Sequence, residues 1–142
     1  MILHIDDRLL HGRILHGWDR GRAKRFVLIS RRLADPAIRE LYAQAAGKPT
    51  VFLPMAGEDP APEEKGDFWL ADHPAAAAYL LEKGVALEAL WIIALRQGGE
   101  FLRPDLTPDG VSLALLDDLR SRGLSVAYRP FLEAEAVAWP PC

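Results

Sequence analysis

Ile2-Leu3-His4-Ile5-Asp6-Asp7-Arg8-Leu9-Leu10-His11-Gly12 begins as a short apolar run and ends in two carboxylates, an arginine, a histidine and a glycine. An apolar run of this length, stopped by charge, suits a buried strand at residues 2–5. A helix is expected to begin near His11 and to run through Ile14, Leu15 and Trp18. In an open parallel sheet, ligands bind beyond the carboxyl ends of the strands. The 6–12 loop therefore stands where such a domain would carry its chemistry.

The rest of the chain repeats this alternation. Three segments share one punctuation, in which a polar residue precedes proline and a glycine closes the stretch. Asp35-Pro36 leads into Ile38, Leu41 and Ala45 and stops at Gly47; His73-Pro74 leads into Ala77, Leu80 and Leu81 and stops at Gly84; Thr107-Pro108 leads into Val111, Leu115 and Leu119 and stops at Gly123. Cap, proline at the first turn and glycine just past the end mark helices. Between them lie apolar runs suited to strands at 26–30, 50–53, 68–71, 90–95 and 124–128. The order predicts a single α/β domain over residues 1–142, an open, mostly parallel β-sheet with helices on both faces. Residues 56–66, rich in Pro, Glu, Gly and Lys, read as an exposed loop where a crossover helix would otherwise fall. Residues 131–142 read as an extended C-terminal tail, with a short helix expected at 132–137 before Pro140-Pro141.

Bulk properties narrow the class. Half of the 142 residues are hydrophobic and 26% are charged, a balance that excludes a disordered chain. The lone cysteine, Cys142, excludes an internal disulfide or a cysteine-rich metal site. No apolar run approaches the ~18 residues of a membrane span, and no leader is read in the sequence, so a cytoplasmic protein is expected. The net charge of −3 is unevenly spread: residues 1–32 hold eight arginines and lysines against three aspartates, or +5, which leaves −8 on the rest. A basic end on an acidic body suggests a site for anions or for an acidic partner. No nucleic-acid motif accompanies it.

The loop's residue types suit phosphoryl transfer onto nitrogen. An imidazole, with an ordinary pKa near 6.5, offers a neutral nucleophilic nitrogen around pH 7. His11 is the candidate acceptor. Arg8, Gly12 and Arg13 are candidates for binding the phosphoryl group: an arginine presents a planar fork of donors, and a glycine leaves room for a phosphate to approach. Asp6 and Asp7 are candidates for holding the loop or orienting the imidazole. No Walker A sequence or kinase glycine loop is present, so the donor is expected to be a phosphoprotein, with no cofactor and no metal. His11 and His16 would stand about 140° apart on an ordinary helix, which argues against a two-histidine metal site. Trp18, Trp69 and Trp91 read as packing residues, His73 as a helix cap, and Trp139 as a residue that docks on the domain or on a partner.

The run Ile5-Asp6-Asp7-Arg8-Leu9-Leu10-His11-Gly12-Arg13-Ile14, with Trp18 beyond it, resembles the N-terminal signature of IIB components of the mannose/fructose/sorbose family of the bacterial phosphotransferase system. Weaker similarity continues at 26–30, 68–84 and 117–126. The resemblance implies that His11 accepts phosphate from a IIA-type phosphoprotein and passes it to a sugar held by membrane IIC/IID components. That activity is protein-Npi-phosphohistidine–sugar phosphotransferase. The chain departs from the family pattern in five places: Arg13 replaces a usual glutamine, His4 a usual basic residue, and the middle is shortened around 56–66. Ser30-Arg31-Arg32 replaces acidic residues after the second strand, and the 94–99 turn lacks a histidine. A regulatory phosphoacceptor without sugar transport is the alternative, and a non-catalytic anion-binding domain a third reading.

Overall fold

The computed structural model describes residues 1–97, 99–103, 105 and 108–139. The six strands expected from the sequence pair into one sheet: β1 (Ile2–Asp6), β2 (Arg25–Ile29), β3 (Thr50–Leu53), β4 (Asp67–Ala71), β5 (Ala89–Ala94) and β8 (Ser125–Tyr128). The order is β3-β2-β4-β1-β5-β8, all parallel, with β9 (Val137–Ala138) added antiparallel at the edge of β8. A two-stranded ribbon, β6 (Arg96–Gln97) with β7 (Glu100–Phe101), stands apart as an antiparallel pair just after β5.

The central strands are apolar on both faces because both faces are covered. Along β2, Val27 and Ile29 join one buried cluster while Phe26 and Leu28 join the other. The first cluster packs α2 (Ala75–Glu82) and α3 (Gly110–Ser121) through Leu80, Leu116 and Leu119. The second packs the helical segment Arg13–Asp19 and α1 (Pro36–Ala46) through Ile14, Trp18 and Ala46. Burying a Leu- or Phe-sized side chain contributes roughly 1.5–3 kcal/mol, so two such clusters supply the main cohesion.

The helix ends follow the sequence punctuation, with one shift. Asp35 accepts from the Ala37 N–H at 2.9 Å, Pro36 fills the first helical position, and Gly47 ends α1 in the left-handed region. His73, expected as the cap of α2, lies one residue before the N-cap Pro74 and accepts the Ala75 N–H on Nδ1 at 3.0 Å. α3 starts later than expected: Asp109 caps it, accepting from Ser112 N–H at 2.8 Å, whereas Thr107 lies outside the described residues. Leu41 and Val111, expected on apolar helix faces, are exposed.

Two further expectations are corrected. The first helical segment winds wider than an α-helix, closing with Arg20 N–H on the Leu15 carbonyl, five residues back, at 3.0 Å. No helix forms at 132–137; a turn closed by Ala134 N–H on Phe131 O leads into β9. Trp139 is fully buried in the first cluster and donates Nε1–H to the Arg103 carbonyl at 3.3 Å, so this stretch docks on its own domain. As expected, no regular element joins β3 to β4 across 56–66. Among the described residues no helix is long and apolar enough to cross a membrane.

Candidate functional site

β1 lies in the middle of the sheet, between β4 and β5, and its register with β5 slips at its last residue: Ile5 pairs with Ile92 but Asp6 with Ala94. Such a bulge re-aims the side chain that follows it. The chain then turns through Leu9, held at φ 55° with its N–H on the Asp6 carbonyl at 2.9 Å. A left-handed conformation at a leucine costs roughly 1–2 kcal/mol. Leu9 and Leu10 are both buried in the second cluster, and that burial offsets the strain. Tyr42 of α1 adds an O–H bond to the Arg8 carbonyl at 3.2 Å. The loop is thus pinned by apolar residues on its inner side and presents polar ones outward.

Asp6 is the centre of this arrangement. Its carboxylate is fully buried and accepts four bonds: Arg8 N–H and Nε–H on Oδ1 at 3.0 and 3.1 Å, and Arg8 Nη2 and His11 Nε2 on Oδ2 at 3.1 and 2.8 Å. The other ring nitrogen, His11 Nδ1, accepts the backbone N–H of Arg13 at 3.3 Å. These two contacts choose one tautomer. A nitrogen that accepts from an amide carries a lone pair, so the ring proton sits on Nε2 and is donated to Asp6.

The two neighbouring aspartates differ in what they contact. Asp6 accepts the imidazole N–H of His11. Asp7 instead ties the β6–β7 ribbon to the loop, accepting Arg96 N–H on Oδ2 at 3.1 Å and donating its own N–H to Ala94 O. Its Oδ1 is buried without a hydrogen-bond partner among the described residues. Desolvation, followed by the charge of Asp6, raises the Asp7 carboxyl above the ordinary range.

Gly12 has ordinary helical angles, and a Cβ there would meet only the His16 ring at 4.0 Å, so neither backbone nor packing demands a glycine. Its absent side chain leaves the approach beside His11 open. Arg8 is not an open fork: Nε and Nη2 are committed to Asp6, and the guanidinium lies 5.3 Å from the Phe101 ring centre. The Arg13 guanidinium lies 5.1 Å from the Phe131 ring. Both arginines line a cavity of about 250 Å³ together with Arg103, Phe101 and Tyr128. Those last three were missed from sequence. They stand some ninety or more residues from the loop, and no spacing rule links them to it.

The basic N-terminal third does not form one rim. Arg25 pairs through two nitrogens with Asp67 at the start of β2 and β4, and Arg22 lines a crevice with Asp67 and Phe68 at that same end, opposite the loop. Arg20 pairs with Glu133. At the loop's end stand Arg8, Arg13, Arg31 and Arg32, joined by Arg96 and Arg103 from beyond β5.

Behind the loop, His4 packs against Phe68 (ring centres 4.3 Å apart), Trp18 and Trp91, and Arg129 lies over both tryptophans. Burial lowers the His4 pKa to about 4. His4 is therefore a neutral, half-buried residue of this aromatic cluster at ordinary pH.

No protein-family model matches the chain. A sorbose-specific EIIB component of the phosphotransferase system from Lacticaseibacillus casei is 24% identical over 139 aligned residues, covering 90% of this chain and 85% of that protein. Among solved structures, the IIBSor domain of the sorbose permease from Klebsiella pneumoniae superposes with a TM-score of 0.79 at 21% identity, over 98% of this chain and 92% of that one. The N-acetylgalactosamine-specific IIB component 1 from Escherichia coli gives 0.72 at 20% identity, over 96% of each chain. In sequence and in fold, the chain is similar to IIB components of the mannose/fructose/sorbose type of phosphotransferase system.

Proposed function

We propose that this chain is a phosphocarrier domain, spanning residues 1–142, in which His11 Nδ1 accepts a phosphoryl group from a IIA-type phosphoprotein. The observation that carries the reading is the fixed tautomer: Asp6 holds Nε2–H, and the lone pair of Nδ1 points at a backbone N–H. In the first step the N–P bond of the donor breaks as the Nδ1–P bond forms. The ring keeps its Nε2 proton and gains positive charge, which the buried Asp6 carboxylate stabilises. In the second step the Nδ1–P bond breaks as a sugar hydroxyl attacks phosphorus. The ring returns to neutral, and the hydroxyl proton leaves to a base at the acceptor's site or to water.

The acceptor sugar is held by membrane IIC/IID components, and the overall activity is that of a protein-Npi-phosphohistidine–sugar phosphotransferase in the cytoplasm. Arg8 holds Asp6 in place and adds positive charge beside the transferring group. Arg13 contributes its N–H and its side chain. Arg103 and Tyr128, on the same cavity, are further candidates for contacting the phosphoryl oxygens. Little covalent chemistry is left for the protein beyond the histidine, so positioning and charge carry the rate.

The test is labelling from phosphoenolpyruvate through the general phosphotransfer proteins and a cognate IIA. Acid-labile label that is lost in His11→Ala supports the reading. Label retained in that variant, or no label in the wild type, contradicts it.

A further inference from the structure

A second cleft opens at the same end of the sheet, on the far side of β4 from His11. It measures about 300 Å³ and is lined by Arg31, Arg32, Met55, Asp72, His73 and Ala75. These residues follow the carboxyl ends of β2, β3 and β4, where an open parallel sheet places ligands. The donors are arranged for an anion. Arg31 is exposed and has no ion-pair partner among the described residues. His73 accepts the Ala75 N–H on Nδ1, so its proton sits on Nε2 as a donor. The one carboxylate among the described lining residues, Asp72, is partly neutralised through Oδ2, which accepts Ser30 O–H at 2.6 Å and Arg32 Nε at 3.3 Å, while its Oδ1 accepts no bond among the described residues. Met55 is held at φ 57° by its own N–H and that of Ala56 on the Glu58 carboxylate, a strained backbone on the cleft wall.

We propose that this cleft binds a small phosphate monoester of a sugar, with Arg31 and Arg32 on the phosphate, His73 Nε2–H and the Asp72 carboxylate on hydroxyls, and that Arg32 reports its occupancy to the His11 loop. Arg31 offers a guanidinium fork that matches phosphate oxygens, while Arg32, whose Nε and Nη2 are held by Asp72 and by the Asp7 carbonyl, meets the phosphate only by giving up one of those bonds; the cavity of about 300 Å³ accommodates a monosaccharide ring beside them. The link to the loop is direct: Arg32 Nη2 donates to the Asp7 carbonyl at 3.0 Å. A phosphate that draws Arg32 toward the cleft takes that donor from the residue beside Asp6. The identity of the ester as the product of sugar phosphorylation rests on the proposed function; the binding itself does not.

The experiment is therefore a titration of the full-length His11→Ala protein, which no phosphotransfer step can affect, followed by amide NMR. The probes are glucose 6-phosphate, inorganic phosphate and glucose. Saturable shifts at Arg31, Arg32, His73 and Ala75, with a smaller one at Asp7, are expected for glucose 6-phosphate at millimolar levels. Inorganic phosphate should bind more weakly and glucose not at all. Arg31→Ala, an exposed change, should weaken binding about tenfold, or roughly 1.4 kcal/mol, and Arg32→Ala should also remove the Asp7 shift. The proposal is overturned if no cleft residue shifts, if shifts centre on Arg8, Arg13 and Arg103, or if Arg31→Ala binds unchanged. Equal binding of inorganic phosphate overturns the sugar part. So does perturbation of these residues only by a phosphorylated protein donor, which would mark a docking face.

Discussion

Asp6 Oδ2 receives the ring N–H of His11 at 2.8 Å and an Arg8 guanidinium nitrogen at 3.1 Å, so one buried oxygen fixes both the orientation of the histidine and the position of the nearest cation. The chemistry of the loop follows from that shared acceptor.

Asp6→Asn tests it. The amide keeps the shape but removes the charge, and it leaves one fewer acceptor for the Arg8 fork. Buried bonds to charged groups contribute about 1.5–3 kcal/mol each, so the fold should lose on the order of 2 kcal/mol in urea denaturation. Transfer to His11 should slow about a hundredfold, because the cationic ring loses its counter-charge. Wild-type rates in the Asp6→Asn protein would make Asp6 a structural residue only.

Arg8→Lys keeps the positive charge but loses the two-nitrogen grip on Asp6. Single-turnover transfer should fall about tenfold or more, and the fold should lose on the order of 2 kcal/mol, because one bond to the buried carboxylate goes unreplaced. Recovery of the full rate in the lysine variant would show that charge alone suffices.

His4 predicts a pH dependence of stability that is separate from catalysis. Its folded pKa is about 4, below the unfolded value of 6.5, because burial disfavours the charged form. The unfolded chain therefore takes up a proton first as pH falls. The contribution is fully present above pH 6.5 and is lost on descent toward pH 4, by on the order of 3 kcal/mol in total. His4→Phe should flatten urea stability across that window. An unchanged slope would mean that other groups carry the acid sensitivity.

Much of this was legible in the sequence, for physical reasons. Strands such as Phe26-Val27-Leu28-Ile29 are apolar at every position because helices cover both faces, and Asp35-Pro36 with Gly47 brackets a helix by capping chemistry alone. The signature loop was legible because strand, charge and helix start are contiguous. The wide winding of Arg13–Asp19 was not, since Ile14 and Trp18 fit either pitch. The short ribbon at 96–101 and the edge strand at 137–138 have too few residues to show a period. Leu41 and Val111 look like core residues and are not, because α1 and α3 turn those positions to solvent. The cavity of Arg8, Arg13, Arg103 and Tyr128 is made by the sheet, which brings together residues far apart in the chain.

The clustering of Arg13, Arg31, Arg32, Arg96 and Arg103 at one end of the sheet predicts steered association with an acidic donor. Arg13→Glu should slow the second-order transfer rate about tenfold at low ionic strength. The difference should shrink toward 1 M salt, where the Debye length is about 3 Å. Arg22→Glu, at the opposite end, should leave the rate unchanged. A rate flat in salt, or equal effects at the two ends, would remove docking from the account.

The proposed phosphocarrier role stands or falls on the identity of the acceptor atom. The protein labelled with ¹⁵N at histidine, phosphorylated from phosphoenolpyruvate through a cognate IIA, should show ³¹P–¹⁵N coupling to Nδ1 of His11 alone, with Nε2 still protonated and bonded to Asp6. Coupling to Nε2, phosphate on His16, or no phosphohistidine at all would contradict it.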